Sequence, residues 1–189
     1  MLRLILNSHS RISVPPECGF SMWLSSKYSC IDIYDMDLYE RYASDVVITK
    51  KFETWNVSKN NIISVLKKEE PKSYQEMVEC VYLSYSINNN KKSLFFGDKN
   101  NYYMNELESL NSVFPESKYV ALIRDGRDVA ASYKALSEKQ ITLQYSPKLS
   151  TDIALIAEEW VSGIRKLNNL RKVNENLIFI KYEDILSNP

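Results

Sequence analysis

The sequence predicts an α/β fold built on parallel strands, and three observations carry that expectation. Short apolar runs bounded by charged or turn residues occur at Ser93-Leu94-Phe95-Phe96, Tyr119-Val120-Ala121-Leu122-Ile123 and Leu177-Ile178-Phe179-Ile180, and each reads as a buried strand. Helical patterns separate them: one over 102–112 lies between the first two runs, and two more lie between the last two. The longer of these carries Ile153, Ile156, Trp160, Ile164, Leu167 and Leu170 at spacings of three and four, an apolar stripe that faces a core. Strands alternating with helices form parallel βαβ units, in which ligands bind at the carboxyl ends of the strands.

Before the first of these strands, the chain reads as helices and loops. Residues 1–8 form a short helix that begins at Met1 with no capping side chain before it. Ile12-Ser13-Val14 is a short extended piece, ended by Pro15-Pro16, which can neither continue a ladder nor follow a helix. Further helices are expected near 19–28, 36–47, 59–68 and 73–87, and another over 127–136 after the second strand.

Composition narrows the function. A chain of 189 residues fits a single domain over 1–189. With 24 basic and 24 acidic side chains the net charge is zero, which argues against a nucleic-acid partner. No apolar run is long enough for a membrane span, and Met1 to Leu6 is too short for a signal-peptide core. Cys18, Cys30 and Cys80 are odd in number and form no metal-ligand spacing, which points to a reducing, cytoplasmic setting and to no metal. Asn56-Val57-Ser58 fits a glycosylation acceptor pattern, a triplet that arises often by chance. Only four glycines are present, and no Gly-rich loop ends in Lys-Ser or Lys-Thr, which argues against a small P-loop kinase.

The strand ends carry the candidate chemistry. After the three strands come Gly97-Asp98-Lys99, Arg124-Asp125-Gly126-Arg127 and Lys181-Tyr182-Glu183-Asp184. Arg124 sits where a strand passes into a helix, so the guanidinium, free backbone N–H groups and the helix dipole can act on one anion. Ser132, eight residues on, brings a hydroxyl from the same helix. Tyr182 offers a flat ring suited to stacking on or bonding to a base. An anion site beside an aromatic platform suggests a nucleotide.

Phe114 through Tyr133 resembles the 3′-phosphate-binding segment of sulfotransferases, in which an arginine at the strand end and a serine eight residues later hold the phosphate. Gly97-Asp98-Lys99 resembles the "GDK" element of the tyrosylprotein-type and related bacterial members, and Tyr182-Glu183-Asp184 with Asn188-Pro189 resembles their "YEDL…NP" segment. Leu2 to His9 and Pro15-Pro16-Glu17 resemble the helix and loop after the phosphosulfate-binding loop. The resemblance implies a three-layer, P-loop-NTPase-like fold with a central parallel sheet. It implies sulfonate transfer from 3′-phosphoadenosine 5′-phosphosulfate, a co-substrate used without metal, to a hydroxyl or amine of a small-molecule, saccharide or peptide acceptor. Glu17 would be the catalytic base, Lys99 would stabilise the leaving oxygen, Arg124 and Ser132 would hold the 3′-phosphate, and Tyr182 would contact adenine.

Three departures qualify the expectation. The family's "RSGTT" loop and its strand belong just before Leu2, and relatives continue past Pro189, so the domain is expected to be truncated at both ends. Asn100-Asn101 stands where many relatives have "TP" or "DP". The alternative is a catalytically inactive sulfotransferase-fold domain that binds a nucleotide or a partner. Singly, each residue also has a plain reading: Glu17 and Lys99 as solvated charges, Arg124-Asp125 as an ion pair, Ser132 as a neutral helix residue, Tyr182 and Trp160 as packing, and His9 as a helix-end or packing residue. Trp23 and Trp55 fit an acceptor pocket or a core equally.

Overall fold

A computed structural model of the protein describes residues 1–30, 37–138, 145 and 149–188. The chain divides into two compact units, Met1–Tyr103 and Met104–Pro189. In the first, α1 (Leu2–Ser8) leads into β1 (Ile12–Ser13), followed by α2 (Phe20–Trp23), α3 (Ser25–Tyr28), α4 (Leu38–Val47), a 3-10 turn over Phe52–Trp55, α5 (Lys59–Glu69), α6 (Tyr74–Asn88) and β2 (Phe95–Phe96). A second 3-10 turn over Asn101–Asn105 and α7 (Leu107–Val113) precede β3 (Tyr119–Ile123), α8 (Gly126–Ser137), α9 (Ile153–Val173), β4 (Leu177–Lys181) and α10 (Tyr182–Ser187). Position 36 of the expected 36–47 helix and Pro189 of the Asn188-Pro189 pair lie outside the described residues.

Local chemistry explains most boundaries. Ser58 and Asn61 form a reciprocal capping box at the start of α5, and Ser73 accepts from the Glu76 N–H at the start of α6. The expected 19–28 helix is two short ones, because Leu24 is both the end of α2 and the start of α3. The helix at the start of the chain has no side-chain cap and no buried residue. It is braced instead by its polar groups: Arg3 donates to the Val14 carbonyl (3.1 Å), and Asn7 Oδ1 accepts from the Val14 N–H (2.9 Å). His9 closes α1 and accepts from the Arg11 N–H through Nδ1 (3.1 Å), the helix-end role expected of it.

Among the described residues the strands form two parallel pairs, β1 with β2 and β3 with β4. The registers run Ile12↔Phe95, Ser13↔Phe96 and Tyr119↔Leu177 through Ile123↔Lys181. The strands were expected to be buried, and they are so on one face only. Phe95 is 62% exposed and Ile178 54%, while Ala121 and Leu177 are buried. A two-stranded ribbon presents alternate side chains to opposite faces, and one face here has helices against it.

Each unit has its own core. Trp55 lies within 5.0–5.6 Å, centroid to centroid, of Phe20, Phe52, Tyr82 and Tyr85. Burying one such ring contributes about 2 kcal/mol or more. This resolves the reading of Trp55, which is core. In the second unit Leu107, Ala121, Leu167, Leu170 and Leu177 cluster, with Met104, Tyr119 and Phe179 against them. The predicted stripe on α9 thus buries Ile156, Leu167 and Leu170, whereas Ile153 in its first turn is exposed. No helix among the described residues is long and apolar enough to cross a membrane.

Candidate functional site

In the first unit β1 and β2 run side by side in the same direction, so the residues that follow them emerge together at the carboxyl end. Gly97 continues the pairing, donating its N–H to the Ser13 carbonyl (2.9 Å). A Cβ there would stand 3.2 Å from Val14 Cγ2, so the close approach of the two strand ends favours glycine. Beyond this point one chain turns into Glu17 and the other into Lys99. Their side chains meet: Lys99 Nζ donates to Glu17 Oε1. The second carboxylate oxygen is taken by Lys51, 3.0 Å away.

The loop that carries Glu17 is pinned on both sides. Trp55 Nε1 donates to the Pro16 carbonyl (2.8 Å), which ties the proline to the aromatic core. Cys18, fully buried, sits 3.4 Å from Thr49 Oγ1 and 3.5 Å from the Lys50 carbonyl. Glu17 therefore has a fixed base while its carboxylate is 31% exposed and Lys99 is 45% exposed. Partial burial raises the Glu17 pKa, but hydrogen bonds and charge from Lys99 and Lys51 outweigh it and hold the carboxyl below the ordinary glutamate value. The group is ionised at neutral pH.

Asp98, the residue before Lys99, lies close enough to Glu17 to feel its charge. Burial pushes its carboxyl up to about 6 against the pull of hydrogen bonds from Tyr103 and Tyr82. Tyr82 donates to Asp98 Oδ2 (2.8 Å), Tyr103 donates to the same oxygen, and Ser21 Oγ lies 2.9 Å from the Tyr103 hydroxyl. Sequence reasoning named Asp98 only as part of Gly97-Asp98-Lys99, with no role of its own, and missed Lys51. Neither lies in a patterned segment that foretells burial or pairing, and Lys51 is 34 residues from the glutamate it holds.

The second unit repeats the geometry at β3 and β4. Their register ends at Ile123↔Lys181, so Arg124 and Tyr182 are the next residues on adjacent strands. Parallel neighbours lie about 4.8 Å apart, and the Arg124 guanidinium carbon sits 5.0 Å over the Tyr182 ring. Trp160 Nε1 donates to the Arg124 carbonyl (2.9 Å), and Glu183 Oε1 accepts from the Asp125 N–H (3.0 Å), which fixes the turn into α8. Asp125 caps that helix through the Arg127 N–H (2.8 Å) and pairs with the Arg127 side chain (2.7 Å). The expected Arg124-Asp125 ion pair is therefore an Asp125–Arg127 pair. Arg124 Nε is buried with no partner among the described residues. Ser132 is half-buried in the body of α8 (Gly126–Ser137).

The five residues singled out from the sequence thus fall in two groups, Glu17 with Lys99 and Arg124 with Tyr182, and Ser132 stands on the helix that follows Arg124. Trp23, 40% exposed, meets the Tyr102 ring edge-on at 6.1 Å, so unlike Trp55 it is a surface residue. Comparison with known proteins adds one positive result. Neither a curated protein nor a solved structure matches the chain significantly. A model of the sulfotransferase family matches residues 1–189. The whole described chain falls within that match, and the protein belongs to the sulfotransferase family.

Proposed function

We propose that the protein transfers a sulfonate group from 3′-phosphoadenosine 5′-phosphosulfate to a hydroxyl or amine acceptor by in-line displacement. The observation that carries the reading is the ion pair between Glu17 and Lys99 at the ends of two parallel strands. It supplies a proton acceptor and a positive charge side by side, the two groups such a displacement needs. We read the branch as the tyrosylprotein-type and bacterial one, on Gly97-Asp98-Lys99 and Glu17, and the fold as the three-layer, P-loop-NTPase-like arrangement of that family.

In this reading Glu17, kept ionised by Lys51 and Lys99, takes the proton of the acceptor group as its oxygen or nitrogen bonds to sulfur. The bond from sulfur to the bridging oxygen of the phosphosulfate breaks, and Lys99 stabilises the charge left on that oxygen. As Lys99 turns towards the leaving oxygen its hold on Glu17 relaxes, and the carboxylate becomes a stronger base when the proton arrives. Arg124 and Ser132 grip the 3′-phosphate. The buried, unpartnered Nε of Arg124 fits that role, because a guanidinium already satisfied by a carboxylate would have less to offer an anion. Tyr182 positions the adenine. Residues 1–189 supply the base, the leaving-group lysine and the phosphate grip in this reading. Acceptors are small molecules, saccharides or peptides.

The first test is a thermal-shift titration with 3′-phosphoadenosine 5′-phosphate, with Arg124→Ala as control. Ligand at a hundred times its Kd stabilises a fold by about 2.7 kcal/mol. A rise in Tm that the control abolishes supports the donor assignment, and no rise in a well-folded protein overturns it. Binding without any transfer to a panel of acceptors would instead favour an inactive nucleotide-binding domain on the same fold.

A further inference from the structure

Next to Lys99 in the chain, Asp98 joins a part-buried chain of hydroxyls, Ser21–Tyr103–Asp98–Tyr82. Burying a carboxylate is costly, and a plain strand end does not need one. Asp98 Oδ2 collects two phenol hydroxyls, one from α6 and one from the 3-10 turn over Asn101–Asn105, two separate stretches of the chain. Oδ1 is buried with no partner among the described residues. Tyr82 and Ser21 are themselves buried, so the chain is anchored at both ends.

We infer that Asp98 is the positioning residue for Lys99: tied to Tyr82 and Tyr103, it fixes the backbone from which the lysine reaches Glu17. The inference rests on the proposed role of Lys99 and identifies what holds that lysine in place. Asp98 is the residue before Lys99, so a carboxylate clamped by two phenols fixes the peptide that launches the lysine. The remaining charge of Asp98 also favours the ammonium next door. The ionisable groups around Asp98 are Tyr82 on α6, Tyr103 on the 3-10 turn, Glu17 and Cys18 on the loop after β1, and Lys99 itself.

The order in which Asp98 and Glu17 lose their protons makes the inference testable. Asp98, with its carboxyl at about 6, already carries its proton in the lower range where Glu17 titrates, so its effect on Glu17 there comes through the placement of Lys99. A neighbour that acts only through its charge would, replaced by asparagine, leave Glu17 as acidic as before. A positioning residue would leave it less acidic.

The experiment is a pH titration of the intact chain by carbon NMR, with carboxyl-labelled Asp and Glu, in the absence of donor and acceptor. The Glu17 signal is assigned from Glu17→Gln. In Asp98→Asn the Glu17 midpoint is expected to rise by about one unit, the size of a lost opposite charge. Tyr103→Phe keeps the Asp98 carboxyl and removes one tie, so it should raise the midpoint by less. A midpoint that falls or stays in Asp98→Asn overturns the inference. If that variant does not give a cooperative melt, Tyr103→Phe decides alone, and an unchanged Glu17 midpoint there overturns it equally. The titration needs no turnover. Failure of the wild-type chain to bind 3′-phosphoadenosine 5′-phosphate would remove the proposed donor and leave the Glu17 result standing.

Discussion

At the scale of single residues, Lys51 shows how the candidate base is conditioned by a side chain that no motif includes. It holds Glu17 at 3.0 Å from a backbone in the left-handed region, at φ 72°. A non-glycine residue there stores about 1 kcal/mol or more. Lys51→Gly should therefore lie above Lys51→Ala in thermal stability by about 1 kcal/mol, while both substitutions raise the Glu17 titration midpoint. Denaturation melts and the carboxyl titration read the two effects separately. Glu17→Ala and Lys99→Ala should each lower the transfer rate by about two to four orders of magnitude, measured with the same acceptor and donor. Lys99, Arg124 and Tyr182 were legible in the sequence because each follows an apolar run at a recognisable distance, and Glu17 only through the resemblance of Pro15-Pro16-Glu17. Lys51 and Asp98 were not, since pairing and burial across tens of residues are set by packing.

At the scale of elements, the strand–turn–helix unit β3–α8 was read almost to the residue. The expected strand Tyr119–Ile123 is observed, and the 127–136 helix spans Gly126–Ser137. A continuous apolar run and a glycine at the turn are strong local signals. The break between α2 and α3 at Leu24 had no such signal, because no proline or glycine marks it. Gly126 has a second role beyond the turn. A Cβ there would stand 3.3 Å from the Trp160 ring, which is the ring that donates to the Arg124 carbonyl. Gly126→Val should displace Trp160 and weaken binding of 3′-phosphoadenosine 5′-phosphate about tenfold, a loss of one such hydrogen bond's worth of order, measured by calorimetric titration. Capping makes a separate prediction for α6. Ser73→Ala removes the acceptor of the Glu76 N–H and should cost about 1 kcal/mol in urea unfolding, with no change in the Glu17 titration.

At the scale of the molecule, acid stability carries two opposed contributions. Hydrogen bonds from Lys27 and Tyr28 lower Asp45, the Arg127 side chain lowers Asp125 to about 2, the Asp125 N–H lowers Glu183, and lysines lower Glu17 against the effect of burial. Each of these contributes stability above the ordinary carboxylate range that is lost as pH falls through its folded value. Asp98 has the opposite sign. Its pKa is raised from 3.8 to about 6, so the folded state binds the extra proton and stability declines as pH rises across that window. Asp98→Asn should remove the decline between those two values, seen as a flatter dependence of Tm on pH. The parallel pairing of the strands was legible from their alternation with helices. Their grouping into two ribbons with one exposed face each was not, because period-two patterning tells which residues share a face and not which face is covered.

The three tryptophans occupy three environments, and this gives the protein a built-in optical readout. Trp55 is sealed among aromatic rings, Trp23 stands half out on the surface, and Trp160 is bonded to the carbonyl of Arg124. Indole emission shifts to the blue in apolar surroundings and responds to nearby charge. Trp55 should emit at short wavelength and resist iodide quenching, Trp23 should quench readily, and Trp160 should change intensity when an anion reaches Arg124. In a Trp23→Phe background, the fluorescence of the unlabelled protein would then report occupancy at Arg124 through Trp160, with Trp55 as the internal reference.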